Sequence, residues 1–253
     1  MFLFSSRVKL PVTDEDRLWV DEGFARLEGM VGRQRMLDAK VRLPVDADFP
    51  DRFDGSEAAA ERMFERICGY MEVDGEKIDF ELMRDDQRSL RELLPEWSAR
   101  PESNTGGLYM PSAPDAETSE RCVVAVNAGR LKDPVGLVAV IAHELCHVIL
   151  LEGGLIDPDV VDHEPMTDLL TVFLGFGVFT ANAAARFSQY QDGQKQGWSM
   201  QKLGYLPEQV FGYALAKFAR ERGERKPVWD RYLETAVRDY FTRSCVWLEK
   251  HES

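Results

Sequence analysis

The chain has 253 residues, of which 44% are hydrophobic and 30% are charged. This composition is typical of a folded globular protein and argues against disorder. Acidic residues outnumber basic residues by 13, since there are 44 of the former and 31 of the latter. A surface with this balance repels phosphate backbones and anionic lipids, so nucleic acid and membrane are not expected as partners.

Cysteine spacing and the lengths of the apolar runs bear on localisation. Cys68, Cys122, Cys146 and Cys245 form neither a CxxC pair nor a dense disulfide framework. The apolar run at the N-terminus is too short for a signal-peptide core. The apolar segment 169–181 is shorter than the ~20 residues that cross a bilayer. We therefore predict a cytoplasmic protein with reduced thiols.

Caps and apolar periodicity predict the elements of the first hundred residues. Thr13 and Ser56 are good N-cap residues. The helix after Ser56 has one apolar face, formed by Met63, Phe64, Ile67 and Met71. In chain order we predict a helix over 14–38, a strand over 40–45 that Pro44 ends, a helix over 57–71, a strand over 77–83 and a short helix over 86–94.

The middle of the chain contains the most apolar predicted helix. Residues 98–120 are predicted to be a loop with a short strand at 107–110, and RCVVAV at 121–126 is predicted to be a strand. Asp133 and Pro134 are a good N-cap and first helical residue, and Gly153 and Gly154 are good stop signals. The helix between them is apolar on nearly every face, which is typical of a buried helix. Further helices are predicted over about 164–182, 205–222 and 227–250.

That apolar helix carries His143, Glu144 and His147 in an HExxH pattern. Histidines four residues apart lie one turn apart on the same face, so both imidazoles can bind one Zn²⁺ ion. Glu144, next to the first histidine, is placed to act as a general base. The alternative is a hydrogen-bonded pair of core histidines, but it does not explain why three of the four histidines fall within 143–163.

A catalytic zinc ion needs a third protein ligand. Gly153 occupies the position where metzincins have a third histidine, so that pattern is absent. Glu164 and Asp168, in HEPMTD, are four residues apart and can face the same way from the next helix.

HELCH followed by EPMTD resembles the gluzincin metallopeptidases, the thermolysin-like zincins, over about residues 121–170. The resemblance implies that Glu164 is the third zinc ligand. It also implies that Asp168 accepts the free ring N–H of one zinc-bound histidine and so orients it. Because Pro165 follows Glu164 and disfavours helical geometry before it, His163 is a rival third ligand.

The resemblance has two further implications. Zincins have an edge strand before the metal helix that pairs with an extended peptide substrate, so RCVVAV is either that strand or an ordinary core strand. A tetrahedral intermediate needs an oxyanion donor, and Tyr205 lies in the downstream region where gluzincins place one. Tyr213 is better explained by packing.

From these patterns we predict an α+β fold with a zincin-like core, a small sheet, a buried active-site helix and a mostly helical C-terminal part. Residues 1–100 are predicted to form an α/β part of unknown role, and 101–253 the catalytic core with its helical subdomain. The predicted function is a zinc-dependent hydrolase, specifically a metallopeptidase acting on a peptide or protein. The alternatives are a non-catalytic zinc-binding regulatory or partner-binding protein, and a zincin-like fold that has lost its metal.

Overall fold

The structure, a computed structural model, describes residues 9–83, 107–112, 121–157, 162–191 and 206–251. The chain divides into two compact units, one formed by residues 1–43 with 161–253 and the other by residues 44–160. The predicted boundary near residue 100 falls outside the described residues and stays a prediction. The longer elements are, in chain order, α1 (Asp14–Val31), α2 (Arg33–Asp38), α3 (Glu57–Met71), β1 (Ile78–Met83), β2 (Gly107–Met110), β3 (Cys122–Asn127), α4 (Pro134–His147), α5 (His163–Phe173), α6 (Gly177–Gln191), α7 (Glu208–Glu221) and α8 (Thr235–His251).

The unit of residues 44–160 is a small α+β layer structure. Its described strands form one sheet in the order β1-β3-β2, with β1 parallel and β2 antiparallel to β3. Helix α4 packs on β2 and β3, and it also contacts α3. The predicted apolar face of α3 is confirmed, since all four of its residues are buried. The predicted α+β class is therefore confirmed.

Strand β3 lies in the middle of the described sheet. Its residues pair with β1 on one side and with β2 on the other. Of the two alternatives left open by the sequence, the core strand is therefore correct and the edge strand is wrong for the described sheet. In the described sheet β2 is an edge strand, and α4 packs on it as well as on the central strand β3.

Helix α4 begins as its sequence predicts. The Asp133 side chain accepts a hydrogen bond from the Gly136 N–H at 3.0 Å, and Pro134 fills the first turn. The helix does not run regularly to Gly153. After His147 it changes into one turn of π-helix over Val148–Glu152, and Gly154, with φ +62°, follows. The caps, the glycine stop signals and the apolar periodicity of the sequence do not predict this π-turn.

The other unit, formed by residues 1–43 and 161–253, contains helices and no strand in its described part. Helix α1 packs on α5 and α7, and α7 also contacts α6 and α8. Phe24 and Phe173 are buried with their ring centroids 6.0 Å apart. Burying such a side chain contributes about 1.5–3 kcal/mol, so this core stabilises the unit that contains α5.

Further predicted elements differ from the structure. The helix predicted over 227–250 is replaced by a 3₁₀ helix, Val228–Tyr232, and by α8, which begins at Thr235. The helix predicted over 14–38 is interrupted at Gly32, which has φ +89°. The helix predicted over 164–182 divides into α5 and α6 at Gly175, whose φ is +85°. Residues 40–45 do not form a strand; instead the Arg42 N–H donates to the Gly175 carbonyl at 2.9 Å. The short helix predicted over 86–94 lies outside the described residues.

One described segment, Pro134–Glu152, is long and apolar enough to cross a membrane by length and composition. This segment is longer than the apolar segment 169–181, which is too short to cross a bilayer. About 67% of its apolar window is buried inside the protein, which is consistent with the core helix of a soluble protein.

The start of α4 can be tested by replacing its cap. Asp133→Ala removes the acceptor for the Gly136 N–H, so we expect the free energy of unfolding to fall by about 1 kcal/mol. Asp133→Asn keeps a side-chain acceptor and should lie within a few tenths of a kcal/mol of the wild type. Urea unfolding measures both. Equal losses in the two variants would mean that the charge of Asp133, and not its cap bond, stabilises the helix.

Candidate metal centre

His143 and His147 lie one turn apart on α4, as the sequence predicts. Both are buried, with 8% and 6% of their surface exposed. Their Nε2 atoms are 3.2 Å apart and their rings are nearly perpendicular, with an interplanar angle of 80°. Two ring nitrogens at this distance either share a proton or share a metal ion.

The distance between the two nitrogens fits a zinc ion. With Zn–N bonds near 2.05 Å and tetrahedral angles, two nitrogen ligands are expected about 3.3 Å apart. The 3.2 Å between the Nε2 atoms agrees with this value. The side chains are therefore already spaced as a tetrahedral centre requires.

Glu164 is the third member of the group. One ligand atom from each of His143, His147 and Glu164 lies within 4.8 Å of the others. A set of two imidazoles and a carboxylate could hold a metal ion, and His₂Glu is a ligand set found at catalytic zinc sites. The structure thus brings together the two motif histidines and the glutamate.

The start of α5 explains how Glu164 can precede a proline. The helix begins at His163 after Asp162, which places Glu164 and Pro165 in the first turn. The N–H that Pro165 lacks would have had no partner within the helix. Asp162 makes no cap bond with its side chain, which instead accepts a hydrogen bond from Arg26 at 3.0 Å.

His163, the rival ligand, is not part of the three-residue group in the described residues. Its Nε2 lies 3.3 Å from Oε1 of Glu164. The histidine therefore contacts the carboxylate to which it is the alternative ligand. In this position it can hold the Glu164 carboxylate in one orientation, as a ligand's neighbour does.

Glu144 is buried, with 4% of its surface exposed, and its side chain lies against β2. A Cβ placed on Gly107 would lie 2.7 Å from Glu144 Oε1 and 2.6 Å from Val140 Cγ1. Any side chain at position 107 would therefore push on Glu144. Gly107 is a site residue that the sequence did not reveal, because a glycine at the start of a short strand gives no signal of what it faces.

The other predicted site residues have varied outcomes. Asp168 is buried, and its Oδ2 accepts the Leu206 N–H at 2.9 Å. Its role beside a zinc-bound histidine stays a prediction. Tyr205 lies outside the described residues. The Tyr213 hydroxyl donates to Asp21 at 3.0 Å and its ring is fully buried, which agrees with a packing role.

Tyr109 on β2 is a second residue that the sequence analysis missed. Its ring stacks beside the His147 imidazole, with centroids 6.0 Å apart and an interplanar angle of 15°. Its hydroxyl donates to Glu152 Oε1 at 2.6 Å. Burial, and then this bond to Glu152, raises the pKa of the Tyr109 phenol, so the group stays protonated and remains a donor at neutral pH.

Glu152 accepts two more hydrogen bonds, both from Ser112. The Ser112 N–H donates to Oε1 at 2.8 Å and its hydroxyl donates to Oε2 at 3.0 Å. Burial acts to raise the pKa of Glu152, but the bonds from Tyr109 and Ser112 outweigh it and lower that pKa below its usual value. Glu152 is therefore a carboxylate at neutral pH.

Comparisons of the chain with models of known protein families, with curated proteins and with solved structures found no match.

The contact between Gly107 and Glu144 can be tested with Gly107→Ala. The added methyl must displace Glu144, Val140 or β2, so we expect the free energy of unfolding to fall by about 1–3 kcal/mol. Thermal or urea unfolding measures this loss.

Gly69→Ala is the matched control. Gly69 is exposed on α3, and no atom lies within 4 Å of its added methyl. Because alanine is a better helix former, this variant should gain about 0.5–1 kcal/mol. A Gly107→Ala protein as stable as the wild type would contradict the close contact.

Proposed function

We propose that this protein is a zinc-dependent metallopeptidase of the zincin type. His143, His147 and Glu164 hold the metal, and Glu144 is the general base. The observation that carries the proposal is the group of three ligand atoms within 4.8 Å, with Glu144 adjacent in sequence to one of the histidines. The protein is proposed to be cytoplasmic, and no disulfide joins Cys68, Cys122, Cys146 and Cys245 in the described residues.

The ligand set favours a catalytic centre over a structural one. Structural zinc sites use four protein ligands, whereas catalytic sites use three and leave one position open. In the part of the chain that the structure describes, the metal-binding group has three members. Two imidazoles and one carboxylate also suit zinc better than magnesium or calcium, which prefer all-oxygen sets.

In the proposed reaction, bound zinc supplies Lewis acidity, which polarises a carbonyl and makes water a nucleophile near neutral pH. Glu144 accepts the proton of the attacking water and then delivers it to the leaving amine. His143 and His147 bind a metal through neutral imidazole nitrogens. Because Gly107 has no side chain, the Glu144 carboxylate has room beside β2, where any added Cβ would displace it.

Strand β2 supports a peptide as the substrate. It is an edge strand of the described sheet, and Glu144 lies beside its first residue, Gly107. An extended peptide that pairs with β2 by main-chain hydrogen bonds would lie along the strand next to the general base. Recognition through the main chain also suits a substrate of varied sequence.

Burial of the motif favours the second candidate function, a non-catalytic zinc-binding protein. His143, Glu144 and His147 are 8%, 4% and 6% exposed, whereas a substrate has to reach the metal. In this candidate the same three ligands hold zinc and Glu144 stabilises the fold. Metal content and Glu144 substitution together separate the two functions.

The ligand assignment is tested by zinc content per chain, measured by mass spectrometry after purification without chelators or a histidine tag. We expect about one zinc per wild-type chain, since the described residues contain one such group of ligands. Glu164→Ala should lose most of the metal, and His163→Ala, which removes a neighbour of that ligand and not the ligand, should lose less. Glu208→Ala is the control, because Glu208 also lies in the first turn of a helix in the same unit. Zinc retained by Glu164→Ala and lost by His163→Ala would move the third ligand to His163.

The catalytic assignment is tested by Glu144→Gln, assayed on a quenched-fluorescent peptide library. Because a general base contributes about 10²–10⁴-fold, we expect activity to fall at least ~100-fold while zinc content stays near the wild-type value. Glu65→Gln, on the exposed face of α3, is the control and should change neither quantity. Full activity in Glu144→Gln would exclude this mechanism. Zinc binding with no hydrolysis by the wild type would favour the non-catalytic candidate.

A further inference from the structure

The π-turn after His147 changes which residues share the face of the metal ligand. In an α-helix each residue advances about 100°, so residues five apart point roughly 140° away from each other. A π-helix instead bonds residues i and i+5, which brings residues five apart close to alignment. His147 and Glu152 are five apart, and the π-turn spans Val148–Glu152. The turn therefore rotates Glu152 toward the face that carries His147.

Tyr109 contacts both of these residues. Its ring lies nearly parallel to the imidazole of His147, and its hydroxyl donates to Glu152 at 2.6 Å. In a regular α-helix one tyrosine could not easily reach both, because the two side chains would point in different directions. The π-turn and Tyr109 are thus two parts of one arrangement.

Glu152 is itself held in place from β2 and the residues after it. The main chain and hydroxyl of Ser112 donate to its two carboxylate oxygens, and Tyr109 donates to one of them. A carboxylate that accepts three hydrogen bonds has little freedom to rotate. Glu152 therefore holds the Tyr109 hydroxyl, which donates one of these bonds, in a fixed position. Tyr109 is 6% exposed, which removes competition from water for that bond.

We propose that Tyr109 and Glu152 are positioning residues for the metal centre and hold the His147 ring in its metal-binding orientation. Ser112 completes this group, which we call the Tyr109 clamp (Tyr109, Ser112 and Glu152). The inference rests on the proposed metal site, because a positioned imidazole matters only if it is a ligand. Second-neighbour groups of this kind set the orientation of ligating histidines and affect metal affinity. The clamp uses ring contact where such sites usually use a hydrogen bond to the imidazole.

The experiment compares Tyr109→Phe, Tyr109→Leu and Glu152→Gln with the wild type. Tyr70→Phe is the matched control, because the Tyr70 hydroxyl also donates inside the same unit, to the Asp48 carbonyl. Two quantities are measured. The first is the imidazole NMR signals of His147 in metal-free protein, which are tractable because the chain has four histidines. The second is the zinc dissociation constant from chelator competition, with the visible spectrum of the cobalt-substituted protein.

We expect a graded result. Tyr109→Leu removes the ring, so the His147 signals should shift and broaden and the zinc dissociation constant should rise by about 10-fold or more. Tyr109→Phe keeps the ring but loses the bond to Glu152, so its signals and affinity should lie between those of Tyr109→Leu and the wild type. Glu152→Gln should resemble Tyr109→Phe, and the cobalt spectrum should change in the same order. Tyr70→Phe should change none of these quantities.

Two outcomes overturn the inference. In the first, the His147 signals and the zinc dissociation constants of Tyr109→Phe, Glu152→Gln and Tyr109→Leu all match those of the wild type. The other is a loss of affinity in Tyr70→Phe as large as in Tyr109→Phe, which would indicate general destabilisation.

Failure of the proposed function looks different. In that case the wild type binds neither zinc nor cobalt, while the metal-free His147 signals still report whether the clamp holds the ring. Signals that respond to Tyr109→Leu and Tyr109→Phe in graded order would then show that the ring is held without a metal. Signals that do not respond would reject the clamp as well.

Discussion

The structure depends on the burial of a polar cluster in the middle of an apolar helix. His143, Glu144 and His147 lie among side chains that are almost entirely hydrophobic, and all three are shielded from water. An unsatisfied polar group in such a place costs several kcal/mol, so each needs a partner within the protein. The need for these partners explains two features around α4 that regular packing does not require, namely the glycine at position 107 and the π-turn after His147.

Each of these features supplies a contact for a particular side chain. A glycine on β2 leaves room for the Glu144 carboxylate, and the π-turn brings Glu152 toward the side of the helix that Tyr109 covers. Departures from regular helix and strand geometry cluster at functional sites because ordinary packing does not reward them. Here the departures lie within about one turn of the motif or on the strand next to it. Elsewhere α1 and α3 begin with ordinary side-chain caps, at Thr13 and Ser56.

Features that depend on residues close together in the sequence could be predicted, whereas features that depend on distant residues could not. The cap at Asp133 and the shared face of His143 and His147 depend on residues within one turn, and both were predicted. The central position of β3 depends on pairings with distant strands, so the sequence left the edge-strand and core-strand alternatives open. The bond between Tyr109 and Glu152 joins residues 43 positions apart, and no periodicity connects them. The break at Gly175 was missed because a glycine inside an apolar run carries no sign of its φ value.

The apolar character of Pro134–Glu152 has a consequence for the protein during synthesis. By length and composition this segment is a candidate for insertion into a bilayer, even though most of it is buried in the folded chain. Ionisable side chains near the centre of such a segment oppose insertion, because they must leave water for hydrocarbon. The side chains that fill this role here are the two histidines and the glutamate of the motif. Replacing all three with leucine would therefore do more than remove the proposed chemistry, since the nascent segment would become a better substrate for the membrane-insertion machinery.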